Sequence, residues 1–153
     1  MSLKNFVENL EIISCKPTAT GTDIARLMKK EKVGAVVVME GPEAIGFITD
    51  RDLVVRCLSD EVDCEGVSAQ DIMSSPVQTI SEEASILELT EKMKEKEIRR
   101  LVIIDKKNRP VGMVSMADVF ELLAHELAQL SVVSTAHNEK LFRRNMHGKK
   151  KVA

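Results

Sequence analysis

The sequence predicts an α/β fold of the α+β type: two copies of a strand–helix–strand–strand–helix unit, then one extra helix. Three observations carry this expectation. A seven-residue pattern occurs twice, as Gly46-Phe47-Ile48-Thr49-Asp50-Arg51-Asp52 and as Gly112-Met113-Val114-Ser115-Met116-Ala117-Asp118. Each occurrence reads glycine, two apolar residues, a hydroxyl, two free positions and an aspartate, a sequence that ends a strand and opens a helix. The likeness extends beyond the pattern at an offset of 65 residues, which becomes 66 from Gly46 onward. Finally, Phe120, Leu123, Leu127 and Leu130 carry an apolar helical face past the point where the first copy ends. A repeat of this period decides the architecture before any single element is assigned.

The elements follow in order. Ile12-Ile13-Ser14-Cys15 opens the first copy as a strand and falls on Val77-Gln78-Thr79-Ile80. Ile24, Leu27 and Met28 share one face of a helix from about Thr22 to Lys32, matched by a helix from Ser85 to Lys96. Val33 to Met39 reads as a buried strand ended by the turn Glu40-Gly41-Pro42, and Ala44 to Ile48 returns beside it. Ile98 to Ile104 and Pro110 to Val114 repeat that pair, with one residue more in the loop. Helices from Asp50 to Leu58 and from about Met116 close the copies. Between them, Ser59 to Asp71 is rich in acids and reads as a solvated linker, with one helical turn at Gln70 to Met73. The implied boundaries are 1–60 for the first copy, 61–73 for the linker, 74–124 for the second copy and 125–153 for a helix and basic tail.

Composition narrows the function. With 153 residues, 44% apolar and 30% charged, the chain suits one globular domain or two halves sharing a core. It has no Trp or Tyr and four Phe, so the core is aliphatic, and base stacking on aromatic rings is not an expected mode of binding. No apolar run reaches the roughly 20 residues that cross a bilayer. Cys15, Cys57 and Cys64 lack CxxC spacing and read as reduced thiols of a cytoplasmic protein, with no metal site expected. Net charge is −2, but residues 137–153 sum to +5 and the remainder to −7.

A hydroxyl followed three residues later by an acid is first of all a helix cap. It occurs four times at matched positions: Thr20/Asp23, Ser85/Glu88, Thr49/Asp52 and Ser115/Asp118. The last two differ from the others. Both acids are Asp, and both follow a glycine at a strand end, where a missing side chain lets another molecule approach. A helix start offers N–H groups to phosphate, and a carboxylate offers two acceptors to vicinal hydroxyls. Capping and nucleotide binding both remain open on these residues alone.

The whole pattern resembles the cystathionine β-synthase (CBS) domain, a βαββα unit that occurs in tandem as a Bateman module. The likeness covers roughly residues 10–58 and 74–124. It implies a pseudo-two-fold pair with the sheets packed together and adenosine-ligand clefts between the copies. By that resemblance Gly46, Thr49, Asp52, Gly112, Ser115 and Asp118 belong to ribose-phosphate motifs. Val33, Gly34, Ala35, Ile98, Arg99 and Arg100 belong to the entering strands beside the adenine, and Ser14 and Thr79 to the lead-in strands. The lead-in Ser74-Ser75-Pro76 of the second copy has only Asn9-Leu10-Glu11 in the first. Arg51 aligns with Ala117, and Arg99 and Arg100, at the mouth of the second pocket, align with Gly34 and Ala35, so the two sites should differ in phosphate preference.

The expected function is therefore a regulatory module that senses AMP, ADP or ATP, with S-adenosylmethionine as a further adenosine ligand. Signalling would run through conformational or oligomeric change in a homodimer read by an effector protein. A scaffold with vestigial sites is one alternative, its long helix serving a partner. Nucleic-acid binding through Arg143, Arg144 and Lys149 to Lys151 is another. Catalysis is not expected: His125, His137 and His147 lie outside both copies, and no hydrolase, zinc-protease or Walker pattern occurs. No cofactor is required.

Overall fold

Two apolar triplets, Val36-Val37-Val38 and Leu101-Val102-Ile103, form the centres of two three-stranded sheets. The computed structural model describes residues 3, 4, 12–59 and 63–148, with side chains as far as residue 133. The chain divides into units Met1–Ser115 and Met116–Ala153, and both sheets belong to the first. The first copy comprises β1 (Ser14–Cys15), α1 (Gly21–Glu31), β2 (Ala35–Glu40), β3 (Glu43–Thr49) and α2 (Asp50–Leu53). The wider π turn Val54–Leu58 completes it, and a short α3 (Ala69–Ile72) follows. The second copy comprises β4 (Thr79–Ser81), α4 (Ile86–Glu95), β5 (Arg100–Ile104) and β6 (Pro110–Ser115). Helix α5 (Met116–Gly148) is the second unit.

The repeat read from the sequence is a repeat of hydrogen-bond register. Each middle strand runs parallel to the first strand and antiparallel to the third. Ser14 pairs with Val37 as Thr79 pairs with Val102, and Ala35 with Thr49 as Arg100 with Ser115. Both hairpins shift register at the same place, between Val38 and Met39 and between Ile103 and Ile104. The helix ends match too. Lys32 (φ 55°) and Glu97 (φ 54°) both turn left-handed. Just beyond them the N–H groups of Val33 and Ile98 donate to the carbonyls of Met28 and Met93 at 3.1 and 3.0 Å. That bond satisfies an orphan carbonyl at each helix end and redirects the chain into the next strand.

Burial explains why these positions are apolar. In the first copy Ile24, Met28, Val36, Val38, Ile48 and Cys57 form one cluster. In the second, Leu89, Met93, Leu101, Ile103 and Val114 are buried at the equivalent positions. Val37 and Val102 point to the opposite face and are each only 1% exposed, so both faces of each middle strand are covered. This is why the triplets are continuous rather than alternating. Truncating Ile24 or Leu89 to alanine is the kind of change that costs about 2–5 kcal/mol.

Several expectations change. The last helix of the first copy is α-helical only to Leu53 and widens into the π turn, rather than continuing regularly to Leu58. The supposed solvated linker keeps exposure at Asp63, Glu65 and Gly66 only in part of its length. Its remainder covers α1: Ala69 and Ile72 are buried in the first cluster, with Cys64 and Val67 packed against it. The Gly21 N–H donates to Val67 O at 3.0 Å, and the Ala69 N–H to Ala19 O at 2.7 Å. A further hydroxyl–acid pair, Ser68 and Asp71, opens α3. The stripe Phe120, Leu123, Leu127 and Leu130 on α5 is exposed. The first copy's lead-in at residues 9–11 and Lys149 to Lys151 of the tail lie outside the described residues.

At the other end of the chain, Leu3 is fully buried, and its N–H donates to the Ala84 carbonyl at 2.8 Å. The first described residues therefore lodge beside the second copy.

Two measurements check this packing. An alanine Cβ at Gly46 would stand 2.6 Å from Met73 Sδ and 2.9 Å from the Ser74 carbonyl oxygen. Gly46→Ala is expected to lower stability by about 1–3 kcal/mol in urea unfolding. Unchanged unfolding would show that Met73 and Ser74 yield freely. The second concerns α4. The Ser85 N–H and hydroxyl hold Glu88 below its ordinary 4.5. A depressed carboxyl stabilises the fold above its unfolded value and loses that effect as pH falls through the folded one. Ser85→Ala should lower the Tm at pH 7, because the helix loses its cap. Its Tm deficit against wild type should narrow below about pH 4, and a deficit constant from pH 7 to pH 3 would contradict the assignment.

Candidate functional site

The end of β3 sorts its side chains between core and solvent by strand alternation. Ile48 turns into the first cluster, while Phe47 and Thr49 turn the other way. They form one wall of an open cleft of about 250 Å³. Asp50, Arg51 and Asp52 at the start of α2 continue that wall. The facing wall comes from the second copy: Ile98, Arg99 and Arg100, delivered by the left-handed turn at Glu97. Ser74, from the segment leading into the second copy, closes the floor.

Ser74 reaches that place because Gly46 has no side chain. The Phe47 N–H donates to Ser74 O at 3.2 Å, and the Ser74 N–H returns to Phe47 O at 2.9 Å. The glycine expected to admit a ligand instead admits the chain's own Met73 and Ser74, whose atoms fill the space beside it. Gly46 shapes the cleft without lining it.

The cap at the cleft's centre is complete. Asp52 Oδ2 accepts from the Thr49 N–H at 2.8 Å and from the Thr49 hydroxyl at 2.7 Å, and the Asp52 N–H donates to Thr49 Oγ1 at 3.2 Å. Asp52 Oδ1 is left facing Arg56 Nη2, 3.6 Å away. The other N–H groups of the helix start are also engaged. That of Asp50 donates to Gly34 O at 3.2 Å, and that of Arg51 to Asp50 Oδ1 at 2.8 Å. The expectation that this helix start presents unpaired donors to phosphate therefore fails. Cationic attraction falls to Arg51, Arg99 and Arg100, none of which has an ion-pair partner among the described residues. Against Asp50 and Asp52 they leave the cleft one positive charge in excess. Guanidinium groups bind phosphate through two parallel hydrogen bonds.

Of the residues singled out from the sequence, the structure brings together Thr49, Arg51, Asp52, Ile98, Arg99 and Arg100. The two arginines line the same cleft as the first copy's motif rather than a separate second mouth. The rest do not line this cleft. Ser14 sits in the ladder of β1, and Val33 packs against the first cluster. Gly34 receives the Asp50 N–H, and Ala35 pairs with Thr49. The Thr79 carbonyl accepts from Lys92 Nζ at 2.6 Å. Gly112 pairs with Ile103, Ser115 ends β6, and Asp118 occupies the first turn of α5.

Sequence reasoning overlooked Phe47, Asp50 and Ser74 in the cleft, and Arg56 behind it. Phe47 and Asp50 lie inside the seven-residue pattern, at an apolar and a free position respectively. Ser74 lies in the lead-in quoted for the resemblance, so a signal existed for all three. Burial pushes the Cys15 thiol, and burial with a Cys64 hydrogen bond pushes the Cys57 thiol, up to about 11. A raised thiol forms less of the reactive thiolate, in partly buried Cys15 and buried Cys57 alike. Among the described residues no three His, Cys, Asp or Glu side chains converge to hold a metal ion, and no helix is long and apolar enough to cross a membrane.

Comparison with known proteins agrees with this architecture. The CBS domain family model matches residues 7–59 and 69–125. An uncharacterized protein of Methanopyrus kandleri is 35% identical over 136 residues, which is 88% of this chain and 69% of that protein. The CBS domain-containing protein YhcV of Bacillus subtilis is 28% identical over 128 residues, 83% of this chain and 90% of that one. Among solved structures, a CBS domain protein from Pyrobaculum aerophilum complexed with AMP superposes with a TM-score of 0.68 at 25% identity, covering 77% of this chain and 89% of that chain. A CBS domain pair in complex with 5-methylthioadenosine and S-adenosyl-L-methionine shares the fold, with a TM-score of 0.72 at 19% identity over 82% of this chain and 98% of that chain.

Proposed function

The chain belongs to the CBS-domain family, and from that premise we propose that it is a regulatory module binding an adenosine nucleotide between its two copies. The observation that carries the reading is the cleft itself. It is lined by a carboxylate and a hydroxyl from one copy and by two arginines from the other that have no ion-pair partner among the described residues. Asp52 Oδ1 is the acceptor offered to a ribose hydroxyl, because Oδ2 is used by the cap. Arg99 and Arg100, with Arg51, take the phosphates, and Phe47 and Ile98 supply the apolar surface for adenine. AMP, ADP and ATP are all candidates, and S-adenosylmethionine shares their adenosine half. The AMP complex of the Pyrobaculum aerophilum protein supports the nucleotide class.

Repeat equivalence extends the proposal to a second, poorer site. In the sequence Gly112 and Ser115 are the counterparts of Gly46 and Thr49, and Gly34 and Ala35 stand where the first cleft has Arg99 and Arg100. Without those two arginines, the second site should hold phosphate more weakly. In this reading the protein is not an enzyme. It is a cytoplasmic homodimer whose conformation or assembly changes on binding and is read by an effector. Ligand-linked change of this kind requires different affinities for two states.

Titration calorimetry with AMP, ADP, ATP and S-adenosylmethionine on wild type, Asp52→Asn and Asp118→Asn tests it. Asp52→Asn is expected to weaken the tighter site roughly 10- to 100-fold, the weight of a hydrogen bond to a charged group. Asp118→Asn should leave that site intact. Absence of binding by every ligand would sink the reading and leave both motifs as helix caps.

A further inference from the structure

We infer that Arg56, which does not line the cleft, positions Asp52 for the ligand and links occupancy of the cleft to the segment leading into the second copy. The inference rests on the nucleotide reading above and adds a regulatory residue to it. Arg56 lies in the π turn Val54–Leu58 that follows the motif. Such wide turns often occur at functional sites, because they re-aim a side chain relative to a regular helix.

Its guanidinium meets three acceptors. Nη1 donates to the carbonyl of Ile72 at 2.5 Å. Ile72 is the last residue of α3, so this is a helix-end carbonyl without an intrahelical donor, where a cation is favoured. Nη2 lies 3.5 Å from Ser74 Oγ and 3.6 Å from Asp52 Oδ1. Asp52 and Ser74 both line the cleft, and Arg56, which does not line it, lies within 3.6 Å of both.

The division of labour on Asp52 gives these contacts their consequence. Because Thr49 occupies Oδ2, the only oxygen left for a ligand hydroxyl is the one that faces Arg56. A ligand arriving on Oδ1 must share it with the guanidinium, so the distance between Asp52 and Arg56 changes with occupancy. The same Nη2 faces Ser74, which two backbone hydrogen bonds tie to Phe47. A shift of Arg56 therefore registers at the Phe47–Ser74 pair, the point where the second copy's lead-in crosses the first copy's edge strand. A lysine cannot reproduce this: its ammonium carries charge but not a planar fork able to reach three separated acceptors.

The test combines AMP titration with amide hydrogen exchange at Phe47 and Ser74 on wild type, Arg56→Lys and Arg56→Ala. Thermal melting identifies any variant that fails to fold, and the lysine keeps the charge should the alanine do so. In wild type, AMP is expected to change the exchange rate at Ser74. In Arg56→Lys, AMP should bind about tenfold more weakly, and the Ser74 response should disappear although the protein melts cooperatively. A folded Arg56→Lys that binds AMP as wild type does, with the same Ser74 response, would overturn the inference and leave Arg56 as a helix-end cap. AMP binding to wild type with no change at Ser74 would overturn it as well. Failure of wild type to bind AMP or any other adenosine ligand would instead overturn the nucleotide reading beneath it.

Discussion

The missing side chain at Gly46 is the constraint on which the rest of the first unit depends. It lets Met73 and Ser74 lie against β3 closely enough for two backbone hydrogen bonds. That contact covers part of an edge strand, whose unpaired backbone groups would otherwise invite pairing with another chain. It also brings the start of the second copy onto the end of the first, supplying the cleft floor. A repeat unit duplicated in sequence becomes a pair of walls only because the linker returns to this position. Ala69 and Ile72 keep it there by entering the first copy's core.

The Thr49–Asp52 pair shows how a helix cap can leave one acceptor for the proposed ligand. In the sequence, helix capping and ligand binding are rival readings of the same residues. The geometry divides them by oxygen atom: one carboxylate oxygen closes the cap, and the other faces Arg56. The cap therefore orients the acceptor rather than consuming it. The cost is that the backbone N–H groups of the helix start are spent internally, so in the proposed reading the anion falls to arginine side chains, mostly from the other copy.

Legibility in the sequence followed the range of the interactions. Local patterns were readable: the 65-residue offset reappears as paired strand registers, paired left-handed helix ends and paired buried positions such as Ile24 with Leu89. Contacts between distant segments were not. Nothing local to Arg99 says that it faces Thr49 and Asp52, since each copy by itself places the two on different elements. The acidic run at Asp63 and Glu65 hid the apolar Val67, Ala69 and Ile72 behind it, because composition averages over residues that point in opposite directions. Arg56 was only partly legible: its i,i+4 spacing from Asp52 is a local signal, but its carbonyl and hydroxyl partners lie 16 and 18 residues away and leave no mark in a periodicity.

Leu3 carries a consequence for folding order. Its bond to Ala84 joins residues 81 apart, whereas the sheet ladders close within a single copy. The entropy of closing a loop grows only slowly with its length, so the long tie is affordable once the second copy exists to receive it. Before then it has nothing to hold. Leu3 thus acts as a clasp fastened last, onto a copy that must already be in place to receive it.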